Sequence, residues 1–63
     1  MSTEEVLKAL ERYAEEAGES GRQTATKVGV NRRMLTAWLS GKDRPQGSTL
    51  ARLAGFLRRV GYL

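Results

Sequence analysis

Arg32 and Arg33 stand side by side at the head of the stretch NRRMLTAWLSG, in which Leu35, Trp38 and Leu39 recur at i, i+3 and i+4. At helical pitch those three apolar residues share one face, and Arg32, Arg33, Thr36, Ala37 and Ser40 fall on the other. A guanidinium carries its donors in a rigid planar fork that matches guanine O6 and N7, or a phosphate. Thr36 and Ala37 are small enough for close approach, and either can meet a thymine methyl. A helix anchored on one side and cationic on the other suits the major groove of duplex DNA. Each arginine forked onto guanine would supply about 1–3 kcal/mol of base discrimination. Arginines that clamp phosphates alone would give affinity without sequence choice. At least one of the two is expected to read a base. Trp38, in register with Leu35, is assigned to the core rather than to stacking on a base.

The two residue types that most often carry nucleophilic, acid–base or zinc chemistry, His and Cys, are missing. The chain has no His and no Cys, one Asp (Asp43), and six Glu that all lie within the first twenty residues. No ordinary zinc site, disulfide or catalytic cleft can be built from these, so neither a metal nor a cofactor is expected and an enzyme is the least expected class. Charge is polarised along the chain. Residues 1–20 set Lys8 and Arg12 against six Glu, whereas residues 21–63 hold nine bases against Asp43 alone, giving the net +4. That distribution fits a molecule that turns a basic face to a polyanion and an acidic face away.

Sixty-three residues make one domain, 1–63, and a chain so short buries only about 60% of its unfolded surface, so its stability is expected to be marginal. Its apolar runs are too short for a membrane span or a signal peptide, and a soluble cytoplasmic protein is expected. Ser2 and Glu5 have capping-box spacing at the start of a first helix that Gly18 stops. Leu7, Leu10 and Ala14 are expected in the core, with Glu4/Lys8 and Arg12/Glu16 pairs outside. Ser20 and Gln23 repeat the box, starting a second helix at Gly21 or Arg22, with Ala25 and Val28 inward. Its free N–H groups, with Arg22 and Gln23 beside them, make a phosphate seat. Gly29 breaks that helix, since a residue without Cβ takes positive φ freely. Asn31 caps the third helix, residues 32–40. Residues 41–48 are loop, with Lys42 and Arg44 exposed. A fourth helix runs from Ser48 or Thr49 to Val60 with Leu50, Leu53, Ala54 and Leu57 as its core stripe. Beside that stripe Phe56, Val60 and Leu63 form a second apolar line, which with Tyr62 is either a two-fold dimer interface or a tail folded onto the first helix.

The chain resembles the lambda-repressor/Cro type of helix-turn-helix domain over roughly residues 20–60. The residues that carry the likeness are Ala25, Gly29, Val30, Leu35, Trp38 and Gly41, followed by Lys42, Pro45, Thr49-Leu50 and Leu53-Ala54. The resemblance implies an all-α bundle of four or five helices and a DNA-binding regulator. It implies base contacts from Arg32, Arg33, Thr36 and Ala37, and backbone contacts from Arg22, Gln23, Lys42 and Arg44, to which Asn31 and Ser40 are added. Two positions depart from the family pattern. Gly21 stands where Gln is frequent, so that contact is missing unless Arg22 or Gln23 replaces it. Thr24 stands where an aliphatic residue is usual, so its hydroxyl needs a partner.

The expected function is therefore a sequence-specific transcriptional regulator, most simply a phage Cro-like repressor of a prokaryotic or phage-infected cell. It would be a homodimer on a pseudo-palindromic operator, and with no room for a sensor domain it would act by occupancy. The alternative is a protein-interaction module, antitoxin-like or adaptor, that uses the same fold against an acidic partner. A membrane-surface role for the basic fourth helix is weak, because its apolar face is needed for the core.

Overall fold

Ser2 opens the chain's first helix with the capping box that its spacing implies. Its Oγ accepts from the Glu5 N–H at 3.2 Å, and the Glu5 carboxylate accepts from the Ser2 N–H at 2.9 Å. A computed structural model describes residues 2–63, which fold into four helices with no strand among them. These are α1 (Thr3–Glu16), α2 (Gly21–Val28), α3 (Arg32–Leu39) and α4 (Gly47–Arg59). The chain is all-α, and α2 and α3 form the helix-turn-helix packed against α1 and α4.

The buried face of α1 is Val6, Ala9, Leu10 and Tyr13. Leu10 is where the sequence reading puts it, but Leu7 and Ala14 are only half-buried. The helix is turned so that Tyr13 meets Phe56 of α4 edge-on, with ring centroids 5.1 Å apart at 82°. An edge-to-face aromatic pair adds to the area it buries, and two large rings claim the core ahead of Ala14.

Helices α2 and α4 close on a left-handed glycine. At the end of α2, Gly29 takes φ 89°, and the Gly29 and Val30 N–H groups both donate to the Ala25 carbonyl, at 2.8 and 3.0 Å. A left-handed residue is what lets two successive N–H groups turn back onto the last helical turn. At the end of α4, Gly61 (φ 88°) does the same: the Tyr62 N–H donates to the Leu57 carbonyl at 2.8 Å. That reversal throws Tyr62 onto α1. Its ring lies edge-on to Tyr13 at 5.4 Å, its hydroxyl donates to Glu16 at 2.7 Å, and the Arg12 guanidinium sits 5.4 Å over its face. Of the four residues assigned to a possible dimer interface, Phe56 is thus withdrawn into the core at 4% exposure, and Tyr62 is half-covered by α1. Val60 and Leu63 stay on the surface, 40% and 43% exposed.

Glu19, between α1 and α2, ties the two together. Its Oε1 accepts from the Tyr13 hydroxyl (2.5 Å) and from the Thr24 hydroxyl (2.9 Å), and its Oε2 accepts from Lys27 Nζ (2.6 Å). Thr24, 3% exposed, therefore has the partner its position demands. The Lys27 ammonium first, and the Tyr13 hydroxyl next, hold the Glu19 carboxyl down to about 2 from an ordinary 4.5. A carboxyl whose pKa is depressed on folding stabilises the fold above its unfolded value, and that stabilisation is lost as pH falls through the folded value. The thermal midpoint is accordingly expected to drop between about pH 5 and pH 2. Glu19→Gln should lower the midpoint at neutral pH and flatten the slope in that window, which melting curves followed by circular dichroism at stepped pH would check.

Candidate nucleic-acid interface

The two buried anchors of α3 fix which way it faces. Asn31 caps it, its Oδ1 accepting from the Met34 N–H at 2.8 Å, and Leu35 and Trp38 are 2% and 3% exposed. Leu39, expected beside them, is 38% exposed, as is Met34. At 3.6 residues per turn the inward direction bisects Leu35 and Trp38, which leaves Met34 and Leu39 about 70° off it on opposite sides. Leu39 therefore flanks the core and does not enter it. The helix also ends at Leu39, with Ser40 as its cap residue.

The same geometry places Arg33 and Ser40 straight outward, with Thr36 and Ala37 to either side. Arg33, Thr36 and Ser40 are exposed and Ala37 is half-buried. Arg32 is exposed too but sits on the flank nearest α2. Its Nε and Cγ lie 3.8 and 4.0 Å from where a Cβ on Gly21 would stand. The side chain missing at Gly21 is thus replaced in space by Arg32, not by Arg22 or Gln23. Arg32 runs along the first turn of α2, whose leading N–H groups have no partner within the helix.

The residues assigned to backbone contacts divide in three. Arg22 and Lys42 are exposed, and with Arg32 and Arg33 they make no ion pair among the described residues. Gln23, Asn31 and Ser40 are partly committed. The Gln23 Oε1 accepts from the Ser20 N–H at 2.9 Å, Asn31 caps α3, and the Ser40 hydroxyl donates to the Ala37 carbonyl at 3.2 Å. Arg44 is engaged by Glu4 of α1 in an ion pair that holds the Glu4 carboxyl below its ordinary value. That contact replaces the expected Glu4/Lys8 pair, whereas Arg12/Glu16 forms at 3.9 Å. The loop carrying Arg44 is pinned at Pro45, which is buried, and α4 then begins at Gly47, one residue ahead of Ser48.

Two contributors have no signature in the sequence. Glu19 fixes Lys27 and so keeps that base out of the free cationic set. Arg52 leaves α4 to reach the turn itself, its Nη1 donating to the Gly29 carbonyl at 2.9 Å. By its spacing alone it reads as a surface arginine off the core stripe of α4.

The surface so assembled offers unpaired guanidinium and ammonium groups, two small side chains and two helix starts on one side of a rigid helix pair. It suits a groove lined by phosphates and base edges. A family model described as helix-turn-helix matches residues 10–61 of the 63. No curated protein and no solved structure matches the chain.

Proposed function

From its membership of the lambda-repressor/Cro-type helix-turn-helix family, a family of DNA-binding regulators to which the chain belongs, we propose that it is a sequence-specific repressor. It binds duplex DNA by seating α3 in the major groove of an operator. The observation that carries this is the split of α3: Leu35 and Trp38 are sealed in the core, while Arg32 and Arg33 stand exposed and unpaired. Arg33, Thr36 and Ala37 meet base edges, and Arg32 reaches the edge of the site beside α2. Arg22, Gln23, Asn31, Ser40, Lys42 and Arg44 serve the backbone, and Arg44 exchanges the Glu4 carboxylate for a phosphate oxygen as it does so.

Two copies meet through Val60, Tyr62 and Leu63, beside the depression that Glu5, Lys8, Ala9 and Arg12 line with Tyr62 and Leu63. A two-fold pair of this kind reads half-sites about 34–36 Å apart. The protein acts by occupancy in the cytoplasm of a prokaryotic or phage-infected cell. No helix among the described residues is long and apolar enough to cross a membrane.

Selection of bound sites from random duplex DNA, followed by salt titration of the winner, is the test. A motif of two inverted half-sites should emerge, and log affinity should fall against log salt by roughly 0.9 per phosphate neutralised. Sedimentation at micromolar concentration, with and without that duplex, reads the dimer. Recovery of unselected DNA with a flat salt response would overturn the proposal in favour of a protein-interaction module.

A further inference from the structure

We propose that Arg52 is a positioning residue for DNA recognition: from α4 it holds the turn between α2 and α3 at the angle that lets both helices engage the duplex together. The inference rests on the DNA-binding reading above. Arg52 has two contacts with the turn, one polar and one van der Waals. Its Nη1 donates to the Gly29 carbonyl at 2.9 Å, across 23 residues of chain. Its Cδ and Nη1 also lie 3.4 and 3.6 Å from where a Gly29 Cβ would stand, so the side chain passes close over the glycine. Gly29 is held to glycine by its φ of 89°, and the arginine lies in ordinary van der Waals contact with it. The guanidinium also sits at the carbonyl end of α2, where the helix dipole favours a cation.

The other end of this strut is seated in the core. Next to Arg52 on α4 Leu53 is buried, and about one turn on Phe56 and Leu57 are buried too, with Phe56 edge-on against Tyr13 of α1. Arg52 therefore couples the corner of the helix pair to the scaffold. Specific binding needs the start of α2 on a phosphate and the outward face of α3 on base edges at once. Non-specific binding needs only charge. Loosening the corner should therefore weaken the first and spare the second.

Arg52→Met and Arg52→Lys test this in the full chain, using the selected duplex and a scrambled one. Arg52→Met should lower affinity for the selected duplex about tenfold, equivalent to about 1.4 kcal/mol, and change the scrambled one less than threefold. The salt slope should be unchanged, and amide exchange at Val30 and Asn31 in the free protein should quicken. Arg52→Lys keeps a donor and a charge but not the rigid guanidinium fork, and should lose about half of that discrimination on a logarithmic scale. Equal loss on both duplexes, with the slope reduced by about 0.9, would mean that Arg52 touches phosphate and would overturn the proposal. A lowered thermal midpoint with both affinities intact below it would overturn it as well, leaving a purely structural arginine. If the unaltered protein selects no duplex, the DNA-binding reading fails, and amide exchange at the turn still decides whether Arg52 holds it.

Discussion

Changing Arg32 and Arg33 together to alanine is expected to abolish specific retention of duplex DNA and to leave the fold intact. Each arginine that forks onto a base contributes about 1–3 kcal/mol of discrimination, so a joint loss of roughly a hundredfold or more is expected for the selected duplex. The fold should not notice. Both side chains are exposed and unpaired, and both lie in the first turn of α3, where a cation opposes the helix dipole. Alanine is also the better helix former. The thermal midpoint should therefore stay within about 3 °C, as for a surface change worth under about 0.5 kcal/mol. Titration of labelled duplex and a melting curve on the same sample give both numbers. The single changes are expected to differ. Arg33 points straight away from the core, so Arg33→Ala should relax base preference, whereas Arg32→Ala, removing a side chain laid along α2, should weaken binding with less change in preference. A double variant that still selects the same duplex would remove α3 as the reading helix.

The helix pair was legible from the sequence because its signals are local. Ser20 with Gln23, Gly29 as a break, Asn31 as a cap, and Leu35 with Trp38 one turn apart all act within two turns of chain, and each sits where its spacing implies. What stayed hidden depends on how distant elements meet. The pairs Glu4–Arg44, Gly29–Arg52 and Glu16–Tyr62 join residues 40, 23 and 46 positions apart, and no periodicity encodes them. The same limit explains Phe56. Its spacing with Val60 and Leu63 marks an apolar line, but only the rotation of α1 that presents Tyr13 decides that Phe56 is core and its neighbours are surface. Leu39 departs from the face its spacing implies for a subtler reason. In a helix of eight residues, two anchors already define the inward direction, and a third at i+4 falls to one side of it.

Trp38→Ala is expected to destroy DNA binding by the opposite route, through loss of the fold. Trp38 is 3% exposed and is the largest side chain that α3 contributes to the core. Truncating a buried tryptophan costs about 3–5 kcal/mol, because the packing lost is large and the cavity collapses only in part. A domain of this size has little to set against that: at about 0.05–0.15 kcal/mol per residue its whole stability is roughly 3–9 kcal/mol. The midpoint should fall by at least about 12 °C, and much of the population should be unfolded near 37 °C. Trp38→Phe keeps a ring in the site and should be milder on both counts. Circular dichroism separates this outcome from the arginine result, since the tryptophan variant loses helix and duplex binding together while the arginine variant loses binding alone. A Trp38→Ala protein that melts like its parent would place Trp38 outside the core. Because Trp38 and Leu35 together set the inward direction of α3, the outward course assigned to Arg33 would fall with it.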